Sequence, residues 1–97
     1  MKEIRETEVF KKWFMKLNDK QAKTRIDMRI KRLALGNAGD SRFLGGVSEL
    51  RIDYGTGYRI YYKDTGKEII ILLCGGDKTT QQKDIEKARK LAIEQEE

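Results

Sequence analysis

Apolar residues recur along this chain in two rhythms, and each predicts a different kind of element. From Glu8 onward the rhythm is helical: Phe10, Trp13, Phe14 and Leu17 fall at i, i+3, i+4 and i+7 and form one stripe. Asn18 reads as the cap of a second helix, with Gln21 three residues later completing a capping box. Ala22, Ile26, Ile30 and Leu33 then repeat the stripe, and Gly36 ends it. Two amphipathic helices joined this tightly form a helical hairpin.

Beyond residues 36–46, GNAGDSRFLGG, which read as loop, the rhythm shortens to two. Strands are expected at about 47–53, 57–63 and 67–74, with YGTG (54–57) and DTG (64–66) as turns. KEIRE (2–6) is a short edge strand. The third long strand, EIIILLC, is apolar at both parities, so it belongs in the middle of the sheet with cover on both faces. A last helix runs from about Thr79 to the end, with Ile85, Ala88 and Ala92 as its stripe and Leu91 beside it. The expected fold class is α+β. An N-terminal α-helical hairpin packs on a small, mainly antiparallel β-sheet, a C-terminal helix follows, and the helices share one side of the sheet. Residues 1–97 form one domain, since a chain this short buries only a modest core.

Composition narrows the chemistry. Histidine is absent and Cys74 is the only cysteine, so no metal site, disulfide framework or bound cofactor is expected, and the commonest general base is missing. No apolar run reaches about 18 residues and no signal sequence is evident; the expectation is a cytoplasmic protein without a membrane partner. The formal charge is +5 and is lopsided: residues 1–48 hold 12 Lys/Arg against 6 Asp/Glu, whereas residues 49–97 hold 9 against 10. That asymmetry fits a polyanionic partner, or an acidic protein that shields the surface; a simple solvated basic surface fits it too.

Three features could carry function. In the first long strand Arg51 lies opposite in parity to Leu50 and Ile52, and in the second Arg59 lies opposite to Ile60. If the leucine and isoleucines share the core face, the two arginines share the other face, which requires a connection of odd length. They are either an exposed pair compensated by Glu49 and Asp53 or a clamp whose planar donors fit phosphate oxygens. The parity that buries Ile60 sends Tyr58 and Tyr62 to the core. The second feature, GGDKTTQQKD (75–84), joins the apolar strand to the last helix, bringing Lys78 and backbone N–H groups to a helix start; it is not a P-loop, and a plain strand-to-helix junction explains it as well. The third is the basic surface of the hairpin. Lys12, Lys16, Lys20, Lys23, Arg25, Arg29 and Arg32 are candidates for RNA or ribosome binding, or for a merely solvated face.

The order of short motifs adds a resemblance. A-x-x-R-I, G-N-x-G-D, G-V-S-E-L-R-I, G-x-G-Y-R-I-Y-Y and L-L-x-G-G-D-K-x-T-Q, with D-I-x-x-A after them, resembles the bacterial RelE/ParE toxin superfamily over about residues 8–93. More narrowly it is similar to the HigB-like addiction module killer branch. The resemblance implies a RelE-like α+β toxin of a type II toxin–antitoxin pair. Its partners would be a cognate antitoxin, a HigA-like helix-turn-helix DNA-binding protein, together with the ribosome and mRNA. The implied activity is a metal-independent, ribosome-dependent mRNA endonuclease in which the 2′-hydroxyl attacks the adjacent phosphate. The implied catalytic residues are Arg59 on the scissile phosphate, Lys78 as a second basic group, Arg51 as an assistant and Asp84 where RelE has its tyrosine. Asp84 is equally read as a helix-start residue. Where RelE carries two strand lysines this chain has Val47 and Glu49, so a ParE-like gyrase poison without nuclease activity is the alternative. A binding module that only engages its antitoxin is the third.

Overall fold

The computed structural model describes residues 1–95. Thr7 opens the first helix, α1 (Glu8–Lys16), by accepting the Phe10 amide at 3.0 Å on its hydroxyl. The second, α2 (Lys20–Ala34), begins one residue later than the sequence reading: Asp19 is the cap, taking the Gln21 and Ala22 amides on one carboxylate oxygen. A carboxylate at this position also favours the positive end of the helix dipole, which the Asn18 reading would not supply. Gln21 therefore closes no capping box; its side chain instead accepts the Tyr54 hydroxyl at 3.1 Å. The helix stops where Gly36 takes a positive φ of 91°, and the Gly36 and Asn37 amides turn back onto Leu33 and Arg32 carbonyls.

Five strands follow or precede these helices in one sheet: β1 (Glu3–Glu6), β2 (Ser41–Phe43), β3 (Ser48–Ile52), β4 (Tyr58–Asp64) and β5 (Ile69–Asp77), in the order β1-β5-β4-β3-β2. Only β1 and β5 are parallel. KEIRE is thus an edge strand, as its length and charge suggest. The loop reading of 36–46 misses β2. It is only three residues long and exists by pairing with β3, so it leaves no periodic trace. β5 has neighbours on both sides, although β4 occupies the centre of the order.

The sheet has cover on both faces, not one. Phe10, Ile26 and Leu33 from the hairpin pack with Leu50, Ile52, Ile60, Tyr62, Ile70 and Leu72 on the first face, joined by the partly buried Trp13, Phe14, Ile30 and Tyr58. The last helix, α3 (Gln81–Glu94), lies across the other face, where Ile85, Ala88 and Ala92 meet Val47, Tyr61, Ile71, Leu73 and Cys74. The one-sided arrangement expected from the sequence fails because EIIILLC must hide both parities, and the hairpin can cover only one. Cys74 is the buried small hydrophobe of this second core, its thiol pushed up to about 12 by burial.

A bulge in β5 decides what the end of that strand presents. Tyr61 pairs with Cys74 but Tyr62 pairs with Leu72, so Leu73 is the extra residue and parity reverses after it. Leu73 and Cys74 consequently share the α3 core, Gly75 turns to the hairpin face and Gly76 to the α3 face. The glycines do not end the strand; they continue it under bulky neighbours. A Cβ on Gly75 would overlap the Trp13 ring, and one on Gly76 would overlap the Asp84 carboxylate. Gly75→Ala is expected to lower stability by about 1–3 kcal/mol through overpacking against a ring that Phe10 and Tyr58 already hold. Urea unfolding checks this: the midpoint should fall with the slope unchanged.

Candidate functional site

Parity delivers the two strand arginines as the sequence suggests. The β3–β4 connection spans residues 53–57, an odd length, and Arg51 and Arg59 are direct cross-strand partners on the α3 face. Lys78 arrives from the turn after β5 (Lys78–Thr80, a short 3-10 helix), since Asp77 is opposite Tyr58. Together with Asp40, Asp53 and Gly57, these three cations line a cleft of about 260 Å³. Gly57 is required here twice over. Its φ is 80°, and a Cβ would come within 2.7 Å of the Lys78 side chain, whose stem lies across it.

The three cations differ in how they are held. Arg51 is paired: Nε and Nη2 both donate to one oxygen of Asp40, at 3.0 and 2.7 Å. Its compensating acid therefore comes from the loop before β2 and is neither Glu49 nor Asp53. Arg59 is different. Its side chain is only 13 % exposed, its Nη1 makes two long contacts of 3.5 Å to the Gly57 and Tyr58 carbonyls, and Nε is buried with no hydrogen-bond partner. The nearest acid, Glu49, stands 3.9 Å from that nitrogen, beyond hydrogen-bond reach. Nε is enclosed beside Glu49, so what the guanidinium offers to the cleft is its exposed edge, next to Lys78 and Arg51. Lys78 is exposed and carries a point charge on a flexible stem.

Glu49 is the residue that sequence reasoning missed. It is completely buried, and its carboxylate gathers four groups: Tyr61 donates its hydroxyl at 3.0 Å and Gln81 its amide at 2.8 Å to one oxygen, Arg42 donates to the other at 3.3 Å, and Arg59 faces it. Burial and the adjacent carboxylate together push the Tyr61 hydroxyl well above the usual tyrosine range, so it stays a donor. Strand parity alone sends Glu49 and Tyr61 to the polar face. Only the docking of α3, with Gln81 in its first turn, converts that face into an interior.

Asp84 is not among the cleft-lining residues. It lies over Gly76, accepts the Thr80 hydroxyl at 2.6 Å, and sits in the first turn of α3, where a carboxylate suits the helix dipole. Asp77 holds the preceding turn, taking the Thr79 amide and hydroxyl at 2.9 and 2.6 Å, and these bonds hold its carboxyl below the ordinary value. A group whose pKa is depressed by folding stabilises above its unfolded pKa and loses that contribution as pH falls through the folded one. Stability should therefore drop on acidification below about pH 4, and Asp77→Asn should flatten that acid limb. Thermal unfolding from pH 2 to 6 checks this; Asp64, lowered by Lys2 and the Gly66 amide, adds to the same limb and is the internal control.

The basic residues of the hairpin are not gathered at the cleft. Lys12 and Lys16 are exposed on α1. Lys23 lies over the Phe14 ring at 5.4 Å, and Arg25 over Tyr54 at 4.5 Å. Arg29 spends its donors internally, on the carbonyls of Arg51 (2.6 Å), Ala38 (3.0 Å) and Asp40 (3.2 Å), and so ties α2 to the strand and loop that carry the cleft. Lys20, Arg25, Arg29 and Arg32 line a second, larger groove beside α2. Among the described residues no cluster of His, Cys, Asp and Glu is arranged to hold a metal ion, and no helix is long and apolar enough to cross a membrane.

An α+β domain with helices on both faces of its sheet and a basic cleft at one end of the central strands is the class that the fold and the site define. The chain belongs to the family described as phage-derived protein Gp49-like (DUF891), which matches residues 12–95. It is a family associated with toxin–antitoxin toxins of RelE-like kind; the match does not reach the narrower HigB-like branch that the motifs resemble. A protein of Haemophilus influenzae, described as an uncharacterized protein, is 50 % identical over 93 residues, covering 95 % of this chain and 94 % of that one. No solved structure matches the chain.

Proposed function

We propose that this protein is the toxin of a type II toxin–antitoxin pair and acts as a ribosome-dependent mRNA endonuclease. The observation that carries the reading is the convergence of Arg59, Lys78 and Arg51 on one cleft. In the reaction a ribose 2′-oxygen bonds to the adjacent phosphorus and the bond to the 5′-oxygen breaks, leaving a 2′,3′-cyclic phosphate. Arg59 donates to the non-bridging oxygens as negative charge builds on the phosphorane, and Lys78 adds a mobile positive charge from the other side of the cleft. Arg51, anchored by Asp40, orients the phosphate rather than neutralising it. The proton of the attacking hydroxyl leaves to Asp53, whose exposed carboxylate lines the same cleft and has no ion pair among the described residues, and the departing 5′-oxygen takes a proton from water in the open cleft. Asp84 supports the helix start. Lys12 and Lys16, exposed and away from the cleft, serve as salt-sensitive contacts to ribosomal RNA.

Mapping mRNA 5′ ends after induction of the toxin tests this reading. Codon-spaced cleavage that appears only on translated messages is the expected result. Intact mRNA accompanied by gyrase-dependent double-strand breaks would replace it with the gyrase-poison reading, and no toxicity at all would leave only antitoxin binding.

A further inference from the structure

The carboxylate of Glu49 is shared unevenly. Its cross-strand neighbours are Arg42 on β2 and Tyr61 on β4, and Arg59 lies two residues before Tyr61 on the same face of the sheet. Arg42 donates to Oε1 at 3.3 Å. Oε2 receives two donors at once, the Tyr61 hydroxyl at 3.0 Å and the Gln81 side-chain amide at 2.8 Å. A carboxylate oxygen has two lone-pair sites, so these two donors fill it. Arg59 Nε faces the same oxygen but stands 3.9 Å away, about 1 Å beyond a hydrogen bond. That is why a buried guanidinium nitrogen beside a buried acid has no hydrogen-bond partner.

We propose that Gln81 and Tyr61 are positioning residues for Arg59: by occupying Glu49 Oε2 they hold the guanidinium at a stand-off from its acid, so that its outer edge stays available to an anion in the cleft. The inference rests on the reading of the cleft as a phosphate site. At the stand-off, charge alone keeps Arg59 near Glu49. A charge-assisted hydrogen bond, shorter and about twice as strong as a neutral one, is withheld. Without either donor a lone pair opens on Oε2. Nε then closes the gap of about 1 Å, the ion pair tightens, and the guanidinium is drawn back from Lys78 and Arg51. Tyr61 suits this task because burial first, and the Glu49 charge second, push its hydroxyl above the usual tyrosine range, so it stays protonated and donating. Gln81 ties the same device to α3. It is the first residue of that helix, so the docking of the helix sets how far Arg59 stands from its acid.

The test follows the Arg59 Nε–Hε resonance of the isotope-labelled full chain, free of ribosomes and RNA, during titration with inorganic phosphate. Tyr61→Phe keeps the buried ring and removes only the hydroxyl, so it is the variant that decides if Gln81→Met fails to fold. Each variant should move the Hε resonance downfield, slow its exchange with water and weaken phosphate binding about fivefold, the scale of one intramolecular hydrogen bond. In a Glu49→Gln background there is no charge to close on, so adding Tyr61→Phe should change the affinity by less than about twofold. Parental resonances in the folded variants, or a moved resonance with parental phosphate affinity, would overturn the proposal. So would a fivefold loss that persists in the Glu49→Gln background, which marks ordinary loosening of the core. A parent protein whose Arg59 resonance ignores phosphate would overturn the phosphate site and this inference with it, whereas a parent that binds and variants that bind equally well overturn this inference alone. Because phosphate binding is read without mRNA, loss of the nuclease activity leaves the result standing.

Discussion

Arg59→Ala should reduce mRNA cleavage by about 100-fold or more while the protein remains folded. The magnitude follows from losing one preorganised charged donor at the reacting phosphate, which in enzymes costs on the order of 10²–10³ in rate. The guanidinium is already positioned in the free protein, with little of its side chain exposed, Nε beside Glu49 and Nη1 against the Gly57 and Tyr58 carbonyls. Removing it should cost stability only about 1–2 kcal/mol, because Glu49 keeps Tyr61, Gln81 and Arg42. Circular dichroism and cleavage of a translated reporter message in a reconstituted system measure the two effects together. Arg59→Lys separates charge from geometry. A lysine keeps the charge but lacks the planar fork, so it should recover only part of the activity. A folded Arg59→Ala protein that cuts at the parental rate would remove the phosphate role from this residue.

Glu49→Ala should produce the largest loss of stability, about 3–5 kcal/mol, because it strands a tyrosine hydroxyl, a glutamine amide and two guanidiniums around an emptied interior. For a domain of this size that is a fall in Tm of at least about 12 °C. Glu49→Gln is the informative companion. It keeps the shape and one acceptor, so most of the stability should return, while Arg59 loses the carboxylate that faces it. If Glu49 also holds Arg59 toward the cleft, the glutamine variant should stay folded at the growth temperature and yet cleave more slowly. A Glu49→Gln protein as active as the parent would confine the residue to a packing role.

How much of this was legible in the sequence differs from residue to residue. The helical stripes from Phe10 to Leu17 and from Ala22 to Leu33 are period signals that tertiary contacts leave intact, and both occupy the hairpin core as written. The pairing of Arg51 with Arg59 was also legible, since parity and a five-residue connection are local properties of backbone geometry. The family could be approached from motif order, because turns and strand ends fix spacings. The second face was not legible in the same way. Its cover depends on where α3 docks, and neither the three-residue β2 nor the bulge at Leu73 has a period of its own. The cap at Asp19 rather than Asn18 is a smaller case: either residue caps well, and the choice falls to where the hairpin turn puts the chain.

What the sequence determined by itself, then, is the three helices, the edge strand and the three long strands, and the face each side chain takes up to the bulge, because those follow from periods of 3.6 and 2. What the tertiary structure alone decided is which of those faces remain in water. Docking of α3 closes the polar face over Glu49 and Tyr61, the bulge turns Gly76 toward Asp84, and the β3–β4 turn lets Lys78 reach across Gly57 to the arginines. The physical reason is that burial is a property of two surfaces meeting. A strand carries the same glutamate whether or not a helix covers it, and only the covering turns an ordinary acid–arginine pair into a buried cluster behind the cleft.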